Sequence, residues 1–347
     1  MEKVHTLKAA IDTVKWGFYD NSWDPVLHIN SGDYVDIEAL NHQSGDATDY
    51  LFDDVIKEIY DYNEGRNMGD HLVTGPIYVE NAEPGDVIEM KVIDMQPRMN
   101  YGSNVLANWG NLSNYFGHKE TVFIYEVDPE TQTTYPIFKY LYPRPINAPG
   151  LIVDENEITR IPIKEKLAIP LNLHFGVAGV LSKDSGKIHS LHPKNFGGNV
   201  DNKNFVKGTS MFFKVQVPGA GVYVGDSHFA QGDGELSGTA IEGSINGRIQ
   251  LILHKDKKIF KNQILDSGTH WETHGYGYRL DGAIQEAAIE AVNFLAHRYN
   301  ISKELAYSTL SVKGDFHVTQ VANGVNGVHC RILKESFKHL EASSESI

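Results

Sequence analysis

Alternation of apolar and polar residues at period two is the feature that most restricts this chain. It is clearest in Asp86-Val-Ile-Glu-Met-Lys-Val-Ile-Asp94, which follows the turn-forming run Glu83-Pro84-Gly85. A strand points successive side chains to opposite faces, so a run of this kind offers one face to a core and the other to water. Residues 34–38, 211–217, 221–224 and 316–321 read the same way. Residues 239–245 and 248–254 read as two further strands joined by a hairpin turn at Asn246-Gly247, because both turn residues tolerate positive φ. Helical spacing is rarer. Residues 48–62 carry Leu51, Phe52, Val55, Ile56 and Ile59 at helical intervals, with Asp49, Asp53 and Asp54 near the start, where the helix dipole favours acids. Residues 281–298 are alanine-rich with Ile284, Ala288, Val292 and Leu295 on one face, and Ser302 is an N-cap for a shorter helix beyond.

The expected fold class is therefore mainly β with an α+β C-terminal part. The expected division is a β-rich domain over 1–260, an α+β part over 261–340 with a helix pair and two strands packed on the first, and a frayed polar tail over 341–347.

Charge and cysteine usage narrow the chemistry. Among 347 residues, 31 Lys and Arg stand against 45 Asp and Glu, a formal net charge of −14. A field of that sign repels phosphate backbones and anionic lipid, which argues against nucleic acid and membrane surfaces as partners. Charges are scattered through the first twenty residues and no apolar run is long enough to span a bilayer, so the expected location is cytoplasmic. The single cysteine, Cys330, cannot form an internal disulfide or a Cys-rich zinc knuckle, and it stands against 16 histidines. Any bound metal must then be held by His, Asp, Glu and neutral oxygens. Cys330 sits in the alternating run 327–333, on the side opposite His329, and reads as a buried inert thiol rather than a nucleophile. No Gly-x-Ser-x-Gly and no phosphate loop is present, so serine and nucleotide chemistry find no support.

Glycine concentrates where the chemistry could be, with 11 of the 32 between Gly197 and Gly247. The densest stretch, Gly225-Asp-Ser-His-Phe-Ala-Gln-Gly-Asp-Gly-Glu235, places Asp226, His228, Asp233 and Glu235 close together. Asp226 and His228 are two apart and point to the same side if the preceding strand continues through them. Two readings stand open: a metal site, with mixed imidazole and carboxylate suiting zinc and an all-oxygen set suiting calcium or magnesium, or Asp-Gly turns whose acids cap backbone N–H groups. Groups from elsewhere could join it, among them the segment Asn41-His42-Gln-Ser-Gly-Asp46, His174, the turn Gly197-Gly-Asn-Val-Asp201, His274 and His329.

Four long motifs resemble the acetamidase/formamidase family, in order over most of the chain from about Asn41 to Lys334. They are Thr74-Gly-Pro-Ile-Tyr-Val-Glu-Asn-Ala-Glu-Pro-Gly-Asp86, Gly197-Gly-Asn-Val-Asp201, Val224-Gly-Asp-Ser-His-Phe-Ala-Gln-Gly-Asp-Gly-Glu235 and Gly238-Thr-Ala-Ile-Glu242. The chain departs from the related branch at Asn41, where the first motif there reads His-His-Ala-Gly-Asp, and at Gly234, where serine is expected. The resemblance implies a jelly-roll-like β-sandwich, a homo-oligomer (dimer or higher), a divalent metal that is zinc or else calcium, and hydrolysis of a small aliphatic amide such as formamide or acetamide to carboxylate and ammonia. On that reading a metal-activated water attacks the amide, Asp226, His228 and His42 are the metal ligands, Glu235 is the general base, and His174 and Asp201 line the pocket and orient the amide NH₂. The rival class is a non-catalytic cytosolic β-sandwich that binds a cation or small ligand through the same acidic glycine-rich loop. A third reading keeps the enzyme and changes its substrate to a cyclic or acylated amide, with Tyr115, Phe116, Tyr276 and Tyr278 shaping the pocket.

Overall fold

The alternating runs become strands that bury the expected face. In Tyr34–Ala39, Val35, Ile37 and Ala39 are buried while the residues between them are half-exposed. Val87–Pro97 follows the Pro84-Gly85 turn and pairs on both sides. The computed structural model describes residues 2–41, 53–63, 68–142, 155–255, 257, 261–344 and 347. Among these, nine strands form one sheet, in the order Val4–Leu7, Tyr34–Ala39, Ile245–His254, Val87–Pro97, Ser210–Lys214, Ile264–Asp266, His270–Gly277, Asn326–Leu333 and Gly314–Gln320. Twelve form a second, in which Tyr101–Leu106, Ile241–Glu242, Ala220–Ala230 and His174–Gly179 lie side by side, with Leu72–Val79 also paired to Ala220–Ala230.

The inner faces share one apolar core. Val35, Ile37, Met90, Val92, Ile249 and Leu251 from the first sheet cluster with Val73, Ile77, Phe175, Val177, Val222 and Val224 from the second. Removing that contiguous surface from water is the main stabilising term for two sheets that each have an apolar face. The architecture is thus a mainly β sandwich with its two longer helices toward the C-terminus, as expected. Strands on both sides of residue 260 contribute to the first sheet.

Two local readings need correction. Asn246 and Gly247 do not turn the chain: they lie inside the continuous strand Ile245–His254, paired to Glu38 and Ile37 on one side and to Gln96 and Met95 on the other. The glycine is used for clearance, since a Cβ there would stand 3.0 Å from Cζ of Phe175. The second correction concerns helix Leu280–Arg298, which forms where expected but buries Ala283, Ala287, Ala291, Phe294 and Leu295. Ile284, on the face the apolar spacing favoured, is exposed. The alanine face wins because it lets the helix touch strand backbone: a Cβ on Gly275 would lie 2.2 Å from the Ala287 nitrogen. Other local signals hold. Ser302 caps helix Lys303–Lys313 by accepting from the Leu305 N–H, and Asp53 caps helix Asp54–Tyr62 by accepting from that of Val55 at 2.8 Å. The earlier half of that expected helix, 48–52, lies outside the described residues.

Buried imidazole gives the fold an acid limit. His274 is fully buried, with its Nδ1 on the Gln263 carbonyl at 2.9 Å and its Nε2 accepting from the Asn202 amide at 2.9 Å. Burial pushes its pKa from 6.5 down to about 4. The unfolded chain therefore takes up this proton first as pH falls, so stability is full above pH 6.5 and is lost progressively toward pH 4. The expected loss from this group is roughly 3 kcal/mol. His274→Gln, with no proton to gain, should lose that much less stability than the parent between pH 7 and pH 4 in urea unfolding; equal losses would refute it.

Candidate functional site

Three adjacent strands place three chemical groups in one row. His174 of His174–Gly179 stands opposite His228 of Ala220–Ala230, which stands opposite Glu242 of Ile241–Glu242. Neighbouring strands are about 4.8 Å apart, so side chains on one face of such a row must touch. His228 Nδ1 lies 3.2 Å from His174 Nε2, and His228 Nε2 lies 3.3 Å from Glu242 Oε2. Asp226 reaches the same point, its Oδ2 being 3.5 Å from His228 Nε2 and 3.6 Å from Nε2 of His71. Asn41 closes that side by donating its amide to Glu242 Oε2, to Asp226 Oδ1 at 3.3 Å and to the Ser227 carbonyl at 3.0 Å.

Asp201 and Glu235 come in on loops from the other side. Asp201, His228 and Glu235 offer ligand atoms within 4.8 Å of one another, and so do Asp226, His228 and Glu242. His228 belongs to both sets. Asp201, Asp226 and Glu235 have φ of 50°, 46° and 42°. That left-handed region costs a residue with a β-carbon about 1–3 kcal/mol and persists only where the surroundings enforce it. Here they do: Val200 and Asp201 both donate their N–H to the Gly176 carbonyl, at 2.9 and 3.0 Å, and Gly238 donates to the Glu235 carbonyl at 2.9 Å. Gly176 itself leaves the space the site fills. A Cβ there would lie 2.5 Å from Cε1 of His228 and 2.8 Å from Oδ1 of Asp201.

The electrostatics are unbalanced. Asp201, Asp226, Glu235 and Glu242 are all buried, and the ion pairs described for them are with His228 and His71. Burial pushes the carboxyls of Asp201 and Glu235 well above the usual range, and the neighbouring carboxylates add to the shift. At His228 burial favours the neutral ring, but the charges of Glu242 and Asp226 outweigh it and hold the pKa well above normal. Burial, with the charge of His228 behind it, takes His174 down to about 4. A neutral His174 facing the Asn172 carbonyl at 2.7 Å carries its proton on Nδ1, so Nε2 accepts. The Nδ1–H of His228 then points at His174 Nε2 and at Oε1 of Gln231, 3.0 Å away, which leaves His228 Nε2 directed at the carboxylates.

This donor set fits a divalent cation. His228 Nε2 and Asp201 Oδ1 are buried with no hydrogen-bond partner, and an excess of buried carboxylates is stable only when protonated or joined by a cation. One imidazole oriented through its other nitrogen, with carboxylates around it, is a set that could hold a metal ion.

Of the six site residues expected from the sequence, Asp226, His228, Glu235, Asp201 and His174 converge here, while His42 lies outside the described residues. His174 sits behind His228 with both ring nitrogens engaged by protein groups, so it orients His228 and has no nitrogen left for a ligand. The sequence reading missed Glu242, His71, Gln231 and Asn323, the last of which donates to Asp201 Oδ2 at 2.5 Å, and it named Asn41 only as part of a segment that could join the site. Glu242 stood in a quoted motif, but no local signal tells that it pairs with His228. Cys330 is buried in the C-terminal apolar cluster, and burial pushes its thiol up to about 12, the inert state expected.

Comparisons with known proteins agree with the sequence resemblance. The family model described as the Acetamidase/Formamidase family matches residues 17–184 and 164–331. A formamidase of Methylophilus methylotrophus is 25% identical over 362 aligned positions, covering 88% of this chain and 86% of that protein. A putative formamidase of Schizosaccharomyces pombe is 30% identical, covering 71% of this chain and 65% of that protein. The crystal structure of an acetamidase from Bacillus halodurans superposes with a TM-score of 0.76 at 24% identity, over 96% of this chain and 99% of that one.

Gly176→Ala should destabilise the protein by about 1–3 kcal/mol, because backbone on one side and the His228 ring on the other leave no room for a methyl group. Thermal melting checks it, and an unchanged melting temperature would show that the cradle is loose.

Proposed function

Because this chain belongs to the acetamidase/formamidase family, we propose that the cluster around His228 hydrolyses a small aliphatic amide, of the formamide or acetamide class, to the carboxylate and ammonia. The observation that carries this reading is the set of buried carboxylates converging on one buried imidazole nitrogen. Asp226, His228 and Glu242 are the residues that would hold a divalent ion, zinc by the chemistry of the donors. When bound, such an ion supplies Lewis acidity toward the amide oxygen and acidifies water.

The chain's own groups supply the rest. Amide hydrolysis forms a C–O bond, breaks the C–N bond and moves one proton from water to the departing nitrogen. Glu235 is the proposed carrier of that proton: a carboxylate whose pKa is raised by burial and by the charge of Asp201 is a stronger base than one in water, and it can return the proton to the leaving group. Asp201, held by Asn323 through one oxygen, keeps Oδ1 open to accept from the amide NH₂. Asn41 and the pair His174 and Gln231 fix the directions of Glu242, Asp226 and His228 so that none reorganises during the reaction. The segment from the related branch that differs here, at Asn41, thereby acts through hydrogen bonds rather than as an imidazole. A substrate of a few heavy atoms offers little binding energy, so a weak KM is expected.

Ammonia release from formamide and acetamide tests the proposal. Glu235→Gln should lower kcat by roughly 10²- to 10⁴-fold while the protein still melts cooperatively. Parent-rate turnover in that variant sinks the role of Glu235. Chelator should abolish turnover and added zinc restore it; cation binding with no turnover of any amide would favour a binding module instead.

A further inference from the structure

A second row of imidazoles lies in the C-terminal part of the first sheet. His274 of His270–Gly277 stands opposite His329 of Asn326–Leu333, and His329 stands opposite His317 of Gly314–Gln320. The rings of His317 and His329 are stacked, 5.2 Å apart and 7° from parallel. Asp233 reaches this row from the glycine-rich loop, with Oδ2 3.2 Å from His317 Nδ1. The loop is held there by backbone: Gly234 donates its N–H to the Thr319 carbonyl and accepts from the Val321 N–H, both at 3.1 Å. Asp233 and Glu235, on either side of Gly234, are thereby directed to different clusters. Asp233, His317 and His329 each offer a ligand atom within 4.8 Å of the others.

His329 carries the point. Its Nδ1 is hydrogen-bonded to Oγ1 of Thr319 at 2.8 Å, while its Nε2 is fully buried and has no hydrogen-bond partner. The facing carboxylate, Glu272, is 4.0 Å away, too far for a hydrogen bond, and its oxygens are already engaged by Arg331, Asn202 and Asn204. A buried ring nitrogen left open while a hydroxyl orients the other one is the arrangement of a metal-binding histidine.

We propose that Asp233, His317 and His329 form a second divalent-metal site, separate from the cluster around His228, for a transition metal of the zinc class. Two imidazoles and one carboxylate are a ligand set that zinc accepts and that calcium and magnesium, which take oxygen, do not favour. Lys203 regulates the site: its Nζ lies 2.9 Å from the same Asp233 oxygen that faces His317, so the ammonium competes with the ion for that carboxylate. His317, Asp233 and Lys203 are each about a third exposed, which gives the ion a route in and the displaced lysine a route to solvent. The site does not depend on the amidase reading.

Zinc titration of the full chain, with bound metal counted by elemental analysis after equilibrium dialysis, tests this. His317→Ala should lose one equivalent of bound zinc, or bind it at least about tenfold more weakly, while Asp226→Asn should affect a different equivalent. Lys203→Ala should bind zinc about tenfold more tightly at the site, a gain that misfolding cannot imitate. Cobalt(II) should give a visible ligand-field absorption that His317→Ala reduces. Identical zinc stoichiometry and affinity in the parent and His317→Ala, or weaker binding in Lys203→Ala, would overturn the proposal.

Discussion

Negative charge buried around His228 is the constraint on which the rest of this structure depends. Four carboxylates placed away from water cannot all ionise without a compensating cation, and the ion pairs described for them are with imidazole. Everything near the site follows from holding those acids in place. Three of them sit on left-handed backbone, an expense the flanking hydrogen bonds to Gly176 and Gly238 make tolerable. The imidazoles sort themselves by the same electrostatics: His228, between Glu242 and Asp226, favours a charge, and His174 behind it is neutral and serves as an acceptor. Groups held in this way keep their dipoles fixed, and the proposed amide hydrolysis would draw on that preorganisation.

The same loops serve two clusters. Asp201 turns into the cluster around His228, and the adjacent Asn202 turns away to bond Glu272 and His274. Glu235 and Asp233 divide in the same manner around Gly234. Alternation, which elsewhere separates core from solvent, here separates one polar cluster from another. The loops can do this because the C-terminal strands extend the first sheet until it lies against the glycine-rich loop, so the α+β part is structurally continuous with the walls of the site.

Close backbone approach recurs wherever the sandwich is tightest. Gly176 under His228, Gly247 against Phe175, and Gly275 under helix Leu280–Arg298 all admit a neighbour where a methyl group would collide. Such glycines look alike in sequence to glycines of turns, which is why Asn246-Gly247 resembles a hairpin while being central strand. Helix Leu280–Arg298 shows the converse, where small residues are chosen for contact and larger ones are left outside.

The sequence by itself determined the properties that depend on near neighbours along the chain. Period-two runs specified β-sheet and its buried face, Ser302 and Asp53 specified helix starts, the run around Cys330 specified an inert thiol, and the spacing of Asp226 and His228 placed both on one side. Family motifs added which residues to watch. Only the tertiary structure decided the rest. Strand register brought Glu242 opposite His228 on one side and His174 opposite it on the other, and the path of the loop sent Asp233 and Glu235 apart. These outcomes rest on pairing between segments tens of residues apart, and the energy that selects them is burial and hydrogen bonding across strands, which leaves no periodic trace in either segment alone.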